Sequence, residues 1–408
     1  MNRRPRFSPF LWLCLMGGLA IFSSTMSKNP ALPLFIRSLG VEERTLGFIA
    51  AASTVTGVVV SLPAGLLSDR WGRWRVIRLS LLIFASAPFL YLLVRAPWHL
   101  VLVRIYHGLA TAILGPVALA AVADTFQEGR GERMGWYASA TLVGRLMAPT
   151  VGGLLIFGDD FRWVYLGCGV AGLLALLAGT RLPHVRREGG PTAENAGRIP
   201  RTSAASAPLR WNELLLTSGM EAAQYFAYGA VETFLPLYLR GLGWEPRAIG
   251  PLFTLQVAVL AVARPWMGRL SDRWGRRRPI FLGLLVGAGA TAAMGYVAGW
   301  AAIAALIGLF GLGMAAVTAS TAALISELSP KEATGGSLGM LSSVMDVGHA
   351  SGPMLAGLAV SAWGYGPTFG LVGGLLAVAA ALFAVGGGGV NHRGVNHRGT
   401  EGTEVSSF

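Results

Sequence analysis

Twelve stretches of apolar residues, each about long enough to cross a lipid bilayer, leave this chain little choice but a bundle of membrane helices. They fall at about 9–36, 44–67, 76–94, 98–123, 134–157 and 162–181. After a polar break they resume at 211–239, 246–270, 280–298, 300–325, 335–362 and 366–386. A hydrocarbon core about 30 Å thick calls for roughly 20 apolar residues per helix. The segments must be helical because no water is present at that depth to satisfy a free backbone. Twelve spans nearly exhaust the 408 residues, leaving little for a soluble catalytic domain. The bulk figures agree. Only 13% of residues are charged and the mean hydropathy is +0.56, where soluble domains carry about 25% charged residues.

The net charge of +13 would suit a nucleic-acid partner, but the arginines lie in short loops between apolar runs rather than on one face. Counted by side, with the N-terminus inside, 23 Lys and Arg residues fall on one side of the membrane and 6 on the other. That bias places both termini and the long linker in the cytoplasm of a cell whose inner (plasma) membrane holds the chain. Residues 1–36 have the basic flank and apolar run of a signal peptide. They lack a cleavage site at the right distance, so the segment is read as a retained first helix. Residues 182–210, rich in Pro, Gly, Ser and Ala, read as a flexible linker, and 387–408 as a disordered tail. The two NHRG copies in that tail are read as polar sequence, with no metal site. Cys14 and Cys168 both sit inside apolar runs, so neither implies a disulfide.

An internal duplication organises the rest. Residues 32–40 (LPLFIRSLG) return at 235–243 (LPLYLRGLG), 203 positions on. The loop Gly65-Leu-Leu-Ser-Asp69-Arg70-Trp71-Gly72-Arg73 returns at the same offset as Gly268-Arg-Leu-Ser-Asp272-Arg273-Trp274-Gly275-Arg276. Gly144, Pro149 and Gly153 align with Gly348, Pro353 and Gly357 at 204. Chance likeness of apolar sequence does not produce matched charged loops at one offset. A parallel repeat of six helices predicts two bundles, 1–181 and 211–386, related by a pseudo-two-fold axis, with any solute site between them near the midplane.

At these residues the chain resembles the major facilitator superfamily. The loop after the second span is similar to that family's Gly-x-x-x-Asp-Arg-x-Gly-Arg-Arg signature at Gly65, Asp69, Arg70, Gly72 and Arg73, with Trp74 where a second Arg is usual. The copy at Asp272, Arg273, Gly275 and Arg276 matches fully. Arg104-Ile-Tyr-His107-Gly108 is similar to the family's Arg-x-x-Gln-Gly pattern, with His107 in place of Gln. Gly144-Arg145-Leu-Met-Ala148-Pro149 is similar to a pattern found in antiporters, with Ala148 in place of Gly. The resemblance implies a twelve-helix, all-α membrane transporter working by alternating access, probed next by its charges. It also implies that the two loops act as a conformational latch and that Arg104 takes part in proton coupling. On their own residues the loops read equally as topology anchors.

Ionisable groups at membrane depth are costly and face a partner or a wet cavity. The first half places cations there: Lys28, Arg104 and Arg145, with His107. The second places carboxylates: Glu221, Glu232 and Asp346, with His349. Arg264 is read as reaching back to the loop side. Glu221 and Asp346 are the first candidates for carrying a proton, with Arg104 and Glu232 behind them. Glu221, Gln224, Tyr225, Tyr228 and Glu232 recur at helical spacing and predict one cavity-lining face. Ser24, Thr25, Lys28 and Asn29 make a similar stripe in the first span. Inter-half salt bridges with no transport role are the competing reading of the same charges.

Function then reads as a secondary active transporter of a small organic solute, proton-coupled and exporting, with no cofactor, contacting lipid, and monomeric. Uptake of a sugar or organic anion by symport is the alternative within transport. A non-transporting receptor or scaffold is the alternative outside it. No His-Glu-x-x-His or phosphate-binding loop occurs, which argues against an enzyme.

Overall fold

The computed structural model describes residues 9–125, 129–182, 211–330 and 334–386. The linker expected at 182–210, apart from Leu182, and the tail expected at 387–408 lie outside the described residues. The first half comprises α1 (Pro9–Lys28), α2 (Ala31–Ser38), α3 (Glu43–Trp71), α4 (Arg73–Tyr91), α5 (Pro97–Thr125), α6 (Arg130–Leu154) and α7 (Arg162–Thr180). The second comprises α8 (Trp211–Gly241), α9 (Pro246–Trp274), α10 (Arg277–Met294), α11 (Trp300–Leu328), α12 (Thr334–Trp363) and α13 (Tyr365–Gly386). The first apolar window, expected as one helix, is broken between α1 and α2. Pro30 has no N–H to continue the helical ladder, and its ring crowds the preceding turn. With α1 and α2 counted as one broken span, the described residues form twelve spans.

Eight of these spans are long and apolar enough to cross a membrane by length and composition. The other four are α6, α8, α10 and α12, and charge explains them. Arg277 and Arg278 open α10, whereas α6, α8 and α12 carry Arg145, Glu221 with Glu232, and Asp346 within their length. A helix shielded by other helices tolerates such groups, and one bathed in lipid does not.

The packing repeats with the sequence. In the first half α1 packs on α6 and α7, α3 on α5, and α4 on α5 and α7. In the second, α8 packs on α12 and α13, α9 on α11, and α10 on α11 and α13, the same pattern. The halves meet along two seams, α3 with α12 and α9 with α6. These seams are copies of each other down to single atoms. A Cβ on Gly47 would strike the Pro353 carbonyl, and one on its repeat partner Gly250 would strike the Pro149 carbonyl. Likewise a Cβ on Gly153 would meet Pro246, and one on Gly357 would meet Glu43. Only glycine lets the backbones approach this closely.

All four contacts lie at the end of the bundle away from the Gly72 and Gly275 loops. Across that far end Thr150 and Thr254 hydroxyls are 2.7 Å apart, Arg240 pairs with Asp159 at 3.3 Å, and the Tyr365 hydroxyl donates to Glu43 at 3.4 Å. One apolar cluster there, including Met26, Leu46, Cys168, Phe234 and Phe253, joins both halves. At the loop end the apolar core divides instead. Leu13, Ala64, Ile77 and Leu81 belong to a cluster of the first half alone, and Leu214, Ile325 and Leu341 to one of the second. The molecule is closed at the far end and parted at the loop end.

Replacing Gly47 or Gly250 by valine is therefore expected to hold the far end open. In a Cys14→Ser, Cys168→Ser background, a cysteine placed at Thr54 should react with a membrane-impermeant maleimide at least about tenfold faster from the far side, a population shift of about 1.4 kcal/mol. An unchanged rate would show that the seam does not set the closure.

Candidate functional site

Where the halves meet, the charges of the first bundle confront those of the second. Asn29, just past the end of α1, donates from Nδ2 to Glu232 Oε1 at 3.2 Å. On α12, His349 Nε2 lies 3.0 Å from Glu232 Oε2, so one carboxylate on α8 is bound from both halves. Lys28, Arg104, Thr54, Thr233 and Pro353, with Leu32, Pro33 and Ala50, complete the wall of a cavity of about 30 Å³ beside this knot. Asn29 and Glu232 are themselves repeat partners at the 203 offset, so they meet on the pseudo-two-fold axis.

Arg104 is 2% exposed. Its Nη2 donates to the Ala50 carbonyl at 2.8 Å and to the Ser53 hydroxyl, which ties α5 to α3 within the first half. Its Nε and Nη1 have no hydrogen-bond partner among the described residues. His107, one turn along α5, packs edge-on against Phe84 and Tyr91 and lies 3.4 Å from the Tyr91 hydroxyl. It belongs to the interior of the first bundle and not to the wall of the cavity, contrary to the sequence expectation.

The predicted stripe on α8 divides in the same way. Tyr225 and Tyr228 pack on the His349 ring with centroid separations of 6.1 and 5.2 Å. Glu221 is buried and accepts a hydrogen bond from the Thr321 hydroxyl on α11, inside the second bundle. Gln224 is fully buried against Gly287 on α10, and neither of its amide atoms has a partner among the described residues. The reason is rotational. Successive residues on a helix are about 100° apart, so Gln224 and Tyr225 cannot face the same way even though both fit three- or four-residue spacing to Glu221 and Tyr228. Of the α1 stripe, Lys28 and Asn29 reach the axis. Ser24 is buried, its carbonyl accepting from Ser27, and Thr25 is half-buried.

A second group faces the parted side. Tyr225 lies within range of the charges of Glu221, Asp346, Arg145 and Arg264. Asp346 is half-buried, Arg145 and Arg264 are exposed, and none of the three forms an ion pair with another described residue. Arg264, read from sequence as reaching back to the loop side, is exposed and lies within charge range of Glu221. Its depth along α9 could not be judged without knowing that this helix lines the gap.

At the loop end the two signature loops fold alike. Gly72 and Gly275 take φ of 92° and 83°, values that other residues rarely adopt. Arg73 pairs with Asp69 at 2.7 Å and with Asp124 at 3.2 Å. Arg276 pairs with Asp272 and, at 2.7 Å, with Glu327. The Glu327 hydrogen bond, with help from Asp272, raises the pKa of the Arg276 guanidinium above that of a free arginine. Each triad joins the ends of three helices of its own half: α3, α4 and α5, or α9, α10 and α11. Asp124 and Glu327 lie at the ends of α5 and α11. Arg70 and Arg273 are exposed, and Gly65 has open space where a Cβ would be.

The duplicated helices, the paired loops and the charge-lined gap have a counterpart among known proteins. The family model described as Major Facilitator Superfamily matches residues 13–249 and again 218–406. The chain belongs to the Major Facilitator Superfamily. Multidrug resistance protein 2 of Bacillus subtilis (strain 168) is 25% identical over 341 residues, 81% of this chain and 83% of that protein. The staphylopine export protein of Staphylococcus aureus is 26% identical over 356 residues, 86% of this chain and 88% of its own. The crystal structure of a bacterial homologue of the human lysosomal transporter Spinster, inward-facing and occupied, superposes with a TM-score of 0.79 at 16% identity. It covers 92% of this chain and 95% of that one. As a member of this superfamily the chain is a multi-pass membrane protein and a secondary transporter of small molecules, not an enzyme.

The Glu232 knot yields a stability test. Asn29→Ala and His349→Ala each remove one hydrogen bond to a buried carboxylate, worth about 1.5–3 kcal/mol. Both should lower the unfolding midpoint of the purified protein, and the double variant should lose less than the sum because the two share one partner.

Proposed function

We propose that this transporter exports small organic solutes in exchange for protons. The single observation that carries this reading is the confrontation, between two parted bundles, of charges of both signs that form no ion pair among the described residues: Arg145 and Arg264 with Asp346, around Tyr225. Charged groups at membrane depth without a partner are maintained for a solute or an ion. Tyr225, Tyr228 and the His349 ring offer the aromatic surface that suits an organic solute. The export direction is supported by the names of the relatives, a multidrug resistance protein and an export protein.

In this reading the loop end faces the cytoplasm of a cell whose inner membrane holds the chain, in keeping with the arginine bias. Residues 1–181 and 211–386 rock against each other as two bodies joined by 182–210, and the tail at 387–408 is cytoplasmic. The closed far end is then the outer face, and the structure corresponds to a state open to the cytoplasm. A carboxylate that binds a proton becomes cheaper to enclose in an apolar bundle than its charged form. Asp346, half-buried and without an ion pair among the described residues, exchanges its proton with solute in this reading. Glu221, held by Thr321, is placed to report protonation to α11. The Arg73 and Arg276 triads act as latches by keeping the three helix ends of each half in register.

The measurement is flux into proteoliposomes driven by a pH gradient, across a panel of organic cations, anions and neutral compounds. Glu221→Gln and Asp346→Asn should each cut gradient-driven transport at least about tenfold, a barrier difference of about 1.4 kcal/mol, while solute exchange at equal pH is retained. Solute movement in the same direction as protons would replace export with symport. Full coupling in both variants would remove these two residues from the proton path.

A further inference from the structure

The cavity at the two-fold axis has a property that the solute path does not explain. At about 30 Å³ it is too small for an organic solute and has room for only one or two water-sized occupants. Its wall is richer in positive than negative charge. Lys28 and Arg104 face one carboxylate, Glu232, whose oxygens are already engaged by Asn29 and His349. Widening the circle to the other charges within range of Lys28 adds Arg145 and Asp346, one of each sign. Three cations then face two carboxylates, so an excess of one positive charge persists at either scale.

The guanidinium of Arg104 carries the second observation. It is 98% buried and lines this cavity, and apart from a contact with the Tyr91 hydroxyl its Nε and Nη1 have no hydrogen-bond partner among the described residues. Leaving charged N–H groups unmet in a buried site costs several kcal/mol (roughly) in the absence of a compensating acceptor. Water would supply an acceptor atom but no charge. The Thr54 and Thr233 hydroxyls on the same wall can also donate.

We propose that this cavity is a binding site for a small monovalent inorganic anion of about chloride's size, held between the Lys28 ammonium and the Arg104 guanidinium. The anion cancels the excess charge at the point where the far end is closed. It therefore stabilises the closed arrangement, and it does so whichever carboxylate carries the transport proton. Glu232 borders the same space with its carboxylate turned toward Asn29 and His349, so anion occupancy and ionisation of Glu232 oppose each other.

The test uses the full-length purified protein, with chloride exchanged for gluconate at constant ionic strength. Chloride should raise the melting temperature saturably by about 2 °C or more. Lys28→Gln should abolish that chloride-specific rise. Glu232→Gln, which removes the opposing charge, should lower the half-saturating chloride concentration by about tenfold. Arg247→Gln, at an exposed arginine of the far end, should behave as the parent. Crystals grown in bromide should give an anomalous peak between Lys28 and Arg104, which decides the matter if either buried variant does not fold. Equal melting in chloride and gluconate, a rise undiminished in Lys28→Gln, or bromide crystals without that peak would each overturn the site.

Discussion

Everything in this molecule depends on how closely two backbones can approach across the halves. At the far end, four glycines sit where a single methyl group would strike the opposing carbonyl or chain. Hydrophobic burial cannot drive this contact in a bilayer, because lipid tails are as apolar as leucine, so dense packing of small residues takes its place. The closure at the far end determines the rest. It brings Glu232 onto the axis within reach of Asn29 and His349, closes the small cavity around Lys28 and Arg104, and leaves the loop ends free to part. The charges are arranged around a geometry that glycine permits.

The sequence displayed the fold because its signals are local or periodic. Span length follows from bilayer thickness, and the duplication was visible at an offset of 203 in the loops. The family membership drawn from Asp69, Gly72, Arg73 and their copies agrees with the matched family model. The break at Pro30 was hidden because windowed hydropathy averages over the whole span and does not register a missing N–H.

The site was less legible, since it depends on rotation about helix axes and on contacts between distant spans. Spacing alone could not separate Tyr225 from Gln224, which point to different helices. The partners of the buried charges, Ser53 for Arg104 and Thr321 for Glu221, are ordinary small hydroxyl residues with no pattern around them. One signal was present and unused. Asn29 and Glu232 are copies of one position, and the span that opens each repeat runs beside the symmetry axis, so these two were bound to be neighbours.

That neighbourhood has a consequence for how such a duplicated chain can arise. At most positions a repeat may keep its residue, because the two copies lie far apart. On the axis a residue meets its own twin, and two glutamates there would face each other as like charges in a medium that screens them poorly. The Asn29 and Glu232 pair shows the way out: one copy keeps the acid and the other becomes the amide that donates to it. An acid on the axis therefore requires a different residue at its twin, and the asymmetry between the halves at this position meets an electrostatic requirement of the symmetry.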